Sequence, residues 1–153
     1  MKLYIVRHGE AESRAPSDSL RPLTARGRRT VSELWCQLEK EGVRPTMLVV
    51  SPYVRAQQTA DAIARYYPDI SRQTCDGITP DDDPAQVVAW LAGQPRTDGW
   101  VLVSHMPLVA VLTGLLTEGG QARVPFATGS VACLDMEVLA PAGGRLVWQR
   151  HTT

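Results

Sequence analysis

The sequence predicts an α/β fold: a single domain over residues 1–153, built as three α/β/α layers with a mostly parallel central sheet and a C-terminal antiparallel hairpin. Three observations carry this prediction. Apolar segments of strand length, at 2–7, 46–51, 70–75 and 100–104, alternate with helical patterns as far as residue 117. Such alternation belongs to βαβ units around a parallel sheet. After Gly119-Gly120 the rhythm changes to two strand-like runs separated by Gly143-Gly144, which suits a hairpin added to that sheet. A chain of 153 residues also fits one core better than two.

The first strand runs Leu-Tyr-Ile-Val into Arg7-His8-Gly9, and Gly9 lets the backbone turn at its end. Residues 14–21 are polar, hold Pro16 and lack periodicity, so they form a loop beside this exit, bordering any site there. A helix over about 25–41 places Val31, Leu34, Trp35 and Leu38 on one face, with Thr24 as cap and Gly42 at the stop. Trp35 belongs to the core on that stripe. Further helices start at Ser51-Pro52, Asp83-Pro84 and Met106-Pro107, where a missing N–H does no harm. Val87, Val88 and Leu91 give the third its apolar face, whereas the fourth, with Leu108, Val109, Val111, Leu112, Leu115 and Leu116, is apolar nearly throughout and should be the most buried. The closing hairpin pairs 130–138 with 145–149.

Composition narrows the function classes. The 16 basic and 16 acidic residues cancel, so no global field steers the chain towards nucleic acid or an anionic membrane. Any anion site must be local. Lys2 and Lys40 are the only lysines, leaving arginine as the main cation, and its planar fork suits bidentate contacts. Cys36, Cys75 and Cys133 lack a metal-type CxxC spacing and read as buried packing thiols. No long uncharged apolar run precedes Arg7, and none elsewhere reaches the roughly 18 residues of a membrane span. A cytoplasmic location is expected.

Ligands of parallel sheets bind beyond the carboxyl ends of the strands, and three exits carry suitable groups: Arg7-His8, Ser51 to Arg55, and Ser104-His105. An imidazole at His8 could serve as base, metal ligand or nucleophile, or simply be packed. Arg7 tilts the choice towards phosphate, because a guanidinium would repel a metal cation. Arg55 falls in the first turn of its helix, where the dipole disfavours a cation by about 0.3–1 kcal/mol. A bound phosphate about 4 Å away would return on the order of 4 kcal/mol; the alternative is pairing with Asp18, Asp81 or another carboxylate. Free N–H groups after Pro52 and Pro107 could face the same anion. His105 gains weight from its strand-exit position, while His151 sits in a polar terminus and reads as solvated.

Several ordered segments together, Arg7-His8-Gly9, Ser17-Asp-Ser-Leu-Arg-Pro-Leu-Thr, Ser51-Pro-Tyr-Val-Arg-Ala-Gln-Gln-Thr and Val103-Ser-His-Met-Pro-Leu-Val, resemble the histidine phosphatase superfamily, and within it the short bacterial phosphohistidine phosphatases. The resemblance implies a phosphoglycerate mutase-like fold, with His8 as phosphoryl acceptor and Arg7, Arg55 and a protonated His105 holding the phosphoryl oxygens. It implies no cofactor and no metal, which agrees with a sequence that shows no acidic metal cluster and must supply the positive charge itself.

The substrate follows from what is missing. Only about 30 residues separate the second helix from the fourth strand, room for one strand and one short helix but no lid. Larger members of the superfamily insert helical material there and contribute a carboxylic proton donor. An alkoxide leaving group needs such an acid, worth about 100- to 10,000-fold in rate, whereas imidazole, of pKa near 6.5, departs with little help. Asp76, Asp81 and Asp82 lie where an acid could enter but suit a solvated turn, and Asp83 suits a helix cap. The expected partner is a phosphohistidine-containing signalling or phosphocarrier protein, engaged transiently. Alternatives are a broad small-molecule phosphomonoesterase or mutase, and a noncatalytic phosphate-binding module.

Overall fold

The computed structural model describes residues 1–153. Six strands, β1 (Lys2–Arg7), β2 (Met47–Val50), β3 (Ser71–Thr74), β4 (Trp100–Ser104), β5 (Val131–Met136) and β6 (Gly144–Arg150), form one sheet in the order β3-β2-β4-β1-β5-β6. The first four are mutually parallel; β5 runs antiparallel to β1, and β6 antiparallel to β5. Four helices complete the order: α1 (Ala25–Lys40), α2 (Val54–Ala64), α3 (Pro84–Ala92) and α4 (Leu108–Thr117).

Alternation along each strand sends successive side chains to opposite faces, and two apolar clusters result. Leu3 and Ile5 of β1 join Val87 and Leu91 of α3 and Leu108, Leu112 and Leu116 of α4. Tyr4 and Val6 join Val31, Trp35 and Leu38 of α1 and Ala56, Ala60 and Ile63 of α2. The sheet is therefore sandwiched between two helical layers, as the sequence predicts. Burying each large apolar side chain contributes about 1.5–3 kcal/mol, and Trp35, fully buried as expected, belongs to this group.

Local signals match closely at α1 and α3. Thr24 accepts the Gly27 N–H, Gly42 takes a positive φ of 94° just past the helix, and Asp83 accepts the Ala85 N–H ahead of Pro84. At α2 the helix starts later than expected: Ser51 Oγ accepts the Tyr53 N–H in a turn, Tyr53 is the cap, and Pro52 lies outside. Pro107 likewise caps α4 instead of opening it. Of the cysteines only Cys133 is buried; Cys36 and Cys75 are half-buried, Cys75 against the edge of the cluster around α3 and α4. No helix is long and apolar enough to cross a membrane.

Candidate active site

Three parallel-strand exits meet at one end of the sheet, where a cleft of about 390 Å³ is lined by Arg7, His8, Arg55 and His105. A larger hollow, about 760 Å³, lies against Met1, Thr97 and Trp100 at the opposite end of the strands and touches none of the four. Buried cationic and titratable groups distinguish the smaller cleft, and chemistry outweighs volume in locating a site.

His8 is buried, and its Nδ1 lies 2.7 Å from the Gly9 carbonyl. A carbonyl only accepts, so Nδ1 carries the hydrogen and Nε2 keeps its lone pair. Arg55 Nε donates to that lone pair at 3.3 Å. Burial, opposed by the Gly9 contact but reinforced by the charges of Arg55 and Arg7, lowers the His8 pKa to about 4. The imidazole is neutral at neutral pH, with its nucleophilic atom turned towards the guanidinium. Thr59, itself buried, accepts the Gly9 N–H at 3.0 Å and fixes the turn from α2.

His105 is buried as well. Burial, with His8 and Arg55 close by, pushes its pKa down to about 3, so in the free cleft the ring is neutral. Its Nε2 lies 2.7 Å from Ser51 Oγ. That hydroxyl also accepts the Tyr53 N–H at 3.3 Å, and with two lone pairs it can take a hydrogen from Nε2 as well or give its own to a bare Nε2, according to the tautomer of the ring. Nδ1 is buried and has no partner. The rings of His8 and His105 stand 5.2 Å apart.

Of the alternatives open to Arg55, the structure shows pairing with Asp18. It is buried in the cleft, yet Nη1 donates to the Asp18 carbonyl at 2.7 Å and Nη2 pairs with the Asp18 carboxylate at 3.2 Å. Arg21 shares that carboxylate at 2.9 Å. Arg7 Nη1 donates to the Phe126 carbonyl at 2.8 Å, while its Nε is buried without a partner. The segment 14–21 does border the site, through Asp18 and Arg21.

Other candidates fall outside. Asp76, Asp81 and Asp82 do not line the cleft; Asp82 is used by Thr79, whose N–H and hydroxyl it accepts at 2.7 and 2.6 Å. His151 is exposed but not simply solvated, since its Nδ1 lies 2.6 Å from Ser130 Oγ. Glu10 and Thr128 also line the cleft, and no sequence signal marks either. Nor is any group of three or more His, Cys, Asp or Glu side chains arranged to hold a metal ion.

Residues 3–78 match the sequence model of the histidine phosphatase superfamily (branch 1), a stretch holding Arg7, His8 and Arg55. The phosphohistidine phosphatase SixA of Escherichia coli K12 is 31% identical over 97% of this chain and 92% of its own length. The chain belongs to the histidine phosphatase superfamily. A SixA homologue of Haemophilus influenzae is also 31% identical, over 88% of this chain and 87% of its own. A solved structure of the protein histidine phosphatase SixA complexed with tungstate superposes with a TM-score of 0.88 and 29% identity, covering 99% of this chain and 97% of the other. This is therefore a histidine phosphatase superfamily hydrolase of the SixA type, with a phosphoglycerate mutase-like fold.

Proposed function

We propose that this phosphatase hydrolyses phosphohistidine on a partner protein, of the phosphotransfer-domain or phosphocarrier kind, without a metal ion and through a phospho-His8 intermediate. The observation that carries the reading is the neutral His8, its Nε2 lone pair free of hydrogen and flanked by Arg55. His8 Nε2 forms a bond to phosphorus as the P–N bond of a substrate phosphohistidine protonated on its other ring nitrogen breaks, so that the partner's histidine leaves as neutral imidazole while phospho-His8 keeps its Nδ1 hydrogen. Water then attacks phospho-His8, the electron pair of the second P–N bond returns to Nε2, and phosphate departs as H2PO4− with both of the water's hydrogens, one of which ionises to solvent.

Arg7 and Arg55 supply fixed positive charge to the equatorial oxygens, where phosphoryl transfer needs it. In this reading the ring hydrogen of His105 sits on Nδ1, which is buried without a partner, and the neutral ring donates it to the anion. Between α2 and β4 lie only β3 and α3, and the open cleft admits a side chain carried on another protein. The identity to SixA and that protein's capture of tungstate support the same reading.

The test measures phosphate release, with chelator present, from a histidine-phosphorylated phosphotransfer domain and a phosphocarrier protein, against p-nitrophenyl phosphate. Faster turnover of at least one phosphohistidine protein is expected. Rapid hydrolysis of the small ester with neither protein dephosphorylated would sink the substrate assignment.

A further inference from the structure

Arg7 depends for its position on one irregular segment, residues 125–130. The Phe126 carbonyl takes Arg7 Nη1 at 2.8 Å. The Ser130 carbonyl accepts the Arg7 N–H at 3.0 Å, and the Gly129 N–H is shared between the carbonyls of Arg7 and His8, at 3.1 and 2.8 Å. Thr128 of the same segment lines the cleft. Outside regular structure, such a segment has no ladder of its own to hold it.

The last residues of the sequence supply the missing partners. Gln149 Nε2 donates to the Pro125 carbonyl at 2.8 Å, His151 Nδ1 meets the buried Ser130 hydroxyl at 2.6 Å, and Thr152 Oγ1 donates to the Thr128 carbonyl at 3.0 Å. Packing is as close as the bonding. A Cβ at Gly129 would stand 2.6 Å from Thr152 Cγ2, at a residue whose φ is already 76°.

We propose that residues 149–152 form a strap that fixes the Arg7 guanidinium through segment 125–130, with His151 and Thr152 as positioning residues for phosphate binding. The proposal rests on the reading of Arg7 as a phosphate ligand. The strap touches no reacting atom; it sets the place of the carbonyl that aims Arg7. A misplacement of about 1 Å in such a group costs up to about 100-fold.

The test compares the intact protein with His151→Ala/Thr152→Ala, and with His151→Asn, whose amide can reach the Ser130 hydroxyl. Inorganic phosphate affinity is read by calorimetry, thermal midpoint by melting, and Arg7 mobility by ¹⁵N relaxation of its side chain. Expected are roughly 10- to 100-fold weaker phosphate binding in the double variant, an unchanged midpoint, greater Arg7 mobility, and recovery in His151→Asn. Unchanged phosphate affinity would overturn the strap, as would weakened binding that merely follows a lowered midpoint without recovery in His151→Asn. If the intact protein binds no phosphate, the reading of the site fails instead, and Arg7 mobility alone then decides: equal mobility in both proteins refutes the strap, and greater mobility in the double variant supports it.

Discussion

His8 enters the cleft with its tautomer already chosen by a backbone carbonyl, so the proposed attack requires no proton to be removed first. Its pKa of about 4 and the His105 value of about 3, both displaced mainly by burial, have a consequence for stability. Below about pH 6.5 the unfolded chain binds protons that the folded chain refuses. Stability from the two rings is therefore complete above that pH and is lost as pH falls towards 4 and then 3, with a slope of up to about 1.4 kcal/mol per pH unit for each ring. Urea unfolding between pH 7 and pH 5 should show this decline, and a flat profile there would contradict neutral, buried imidazoles. Arg55 makes a separate point. Its three nitrogens already reach His8, the Asp18 carbonyl and the Asp18 carboxylate, a division that only a planar fork can achieve. Arg55→Lys should lower kcat/KM by about 100-fold or more; steady-state kinetics with unchanged values would remove Arg55 from the reaction.

Strand exits explain why so much of the site could be read from the chain. β1, β2 and β4 are short apolar runs whose last residues are fixed by the sheet, so Arg7, His8 and His105 follow from the strand ends alone. Arg55 was legible even though α2 begins later than Ser51-Pro52 suggests, because an error of one turn still leaves it at the same helix end. What stayed hidden has a common physical cause. The Phe126 carbonyl is backbone, and any residue could supply it; Glu10 and Thr128 arrive through loops with no periodicity. The charge of His105 depends on burial, which no local spacing reports. Helix placement against the β1 exit was equally invisible, and it rests on Gly27, where a Cβ would stand 2.1 Å from the Glu10 carbonyl. Gly27→Ala should push α1 away from that exit, destabilise the protein by about 1–3 kcal/mol and lower activity with it. A thermal midpoint equal to that of the parent would refute this close approach.

The molecule combines zero formal net charge with a cleft whose cations are local, so no whole-molecule field steers an anion towards it. Two helical layers hold the parallel strands, and the connection from α2 to β4 adds only β3 and α3. The proposed mechanism makes His8 the transient carrier of the phosphoryl group. The most direct check mixes the phosphatase with a histidine-phosphorylated phosphotransfer domain or phosphocarrier protein, quenches within milliseconds in base, and locates phosphate on the digested enzyme by mass spectrometry. An acid-labile phosphoryl group on the peptide containing His8 is expected, absent in a folded His8→Ala variant that no longer turns over. Dephosphorylation at an undiminished rate by His8→Ala, or turnover with no label on His8 at any quench time, would contradict the mechanism.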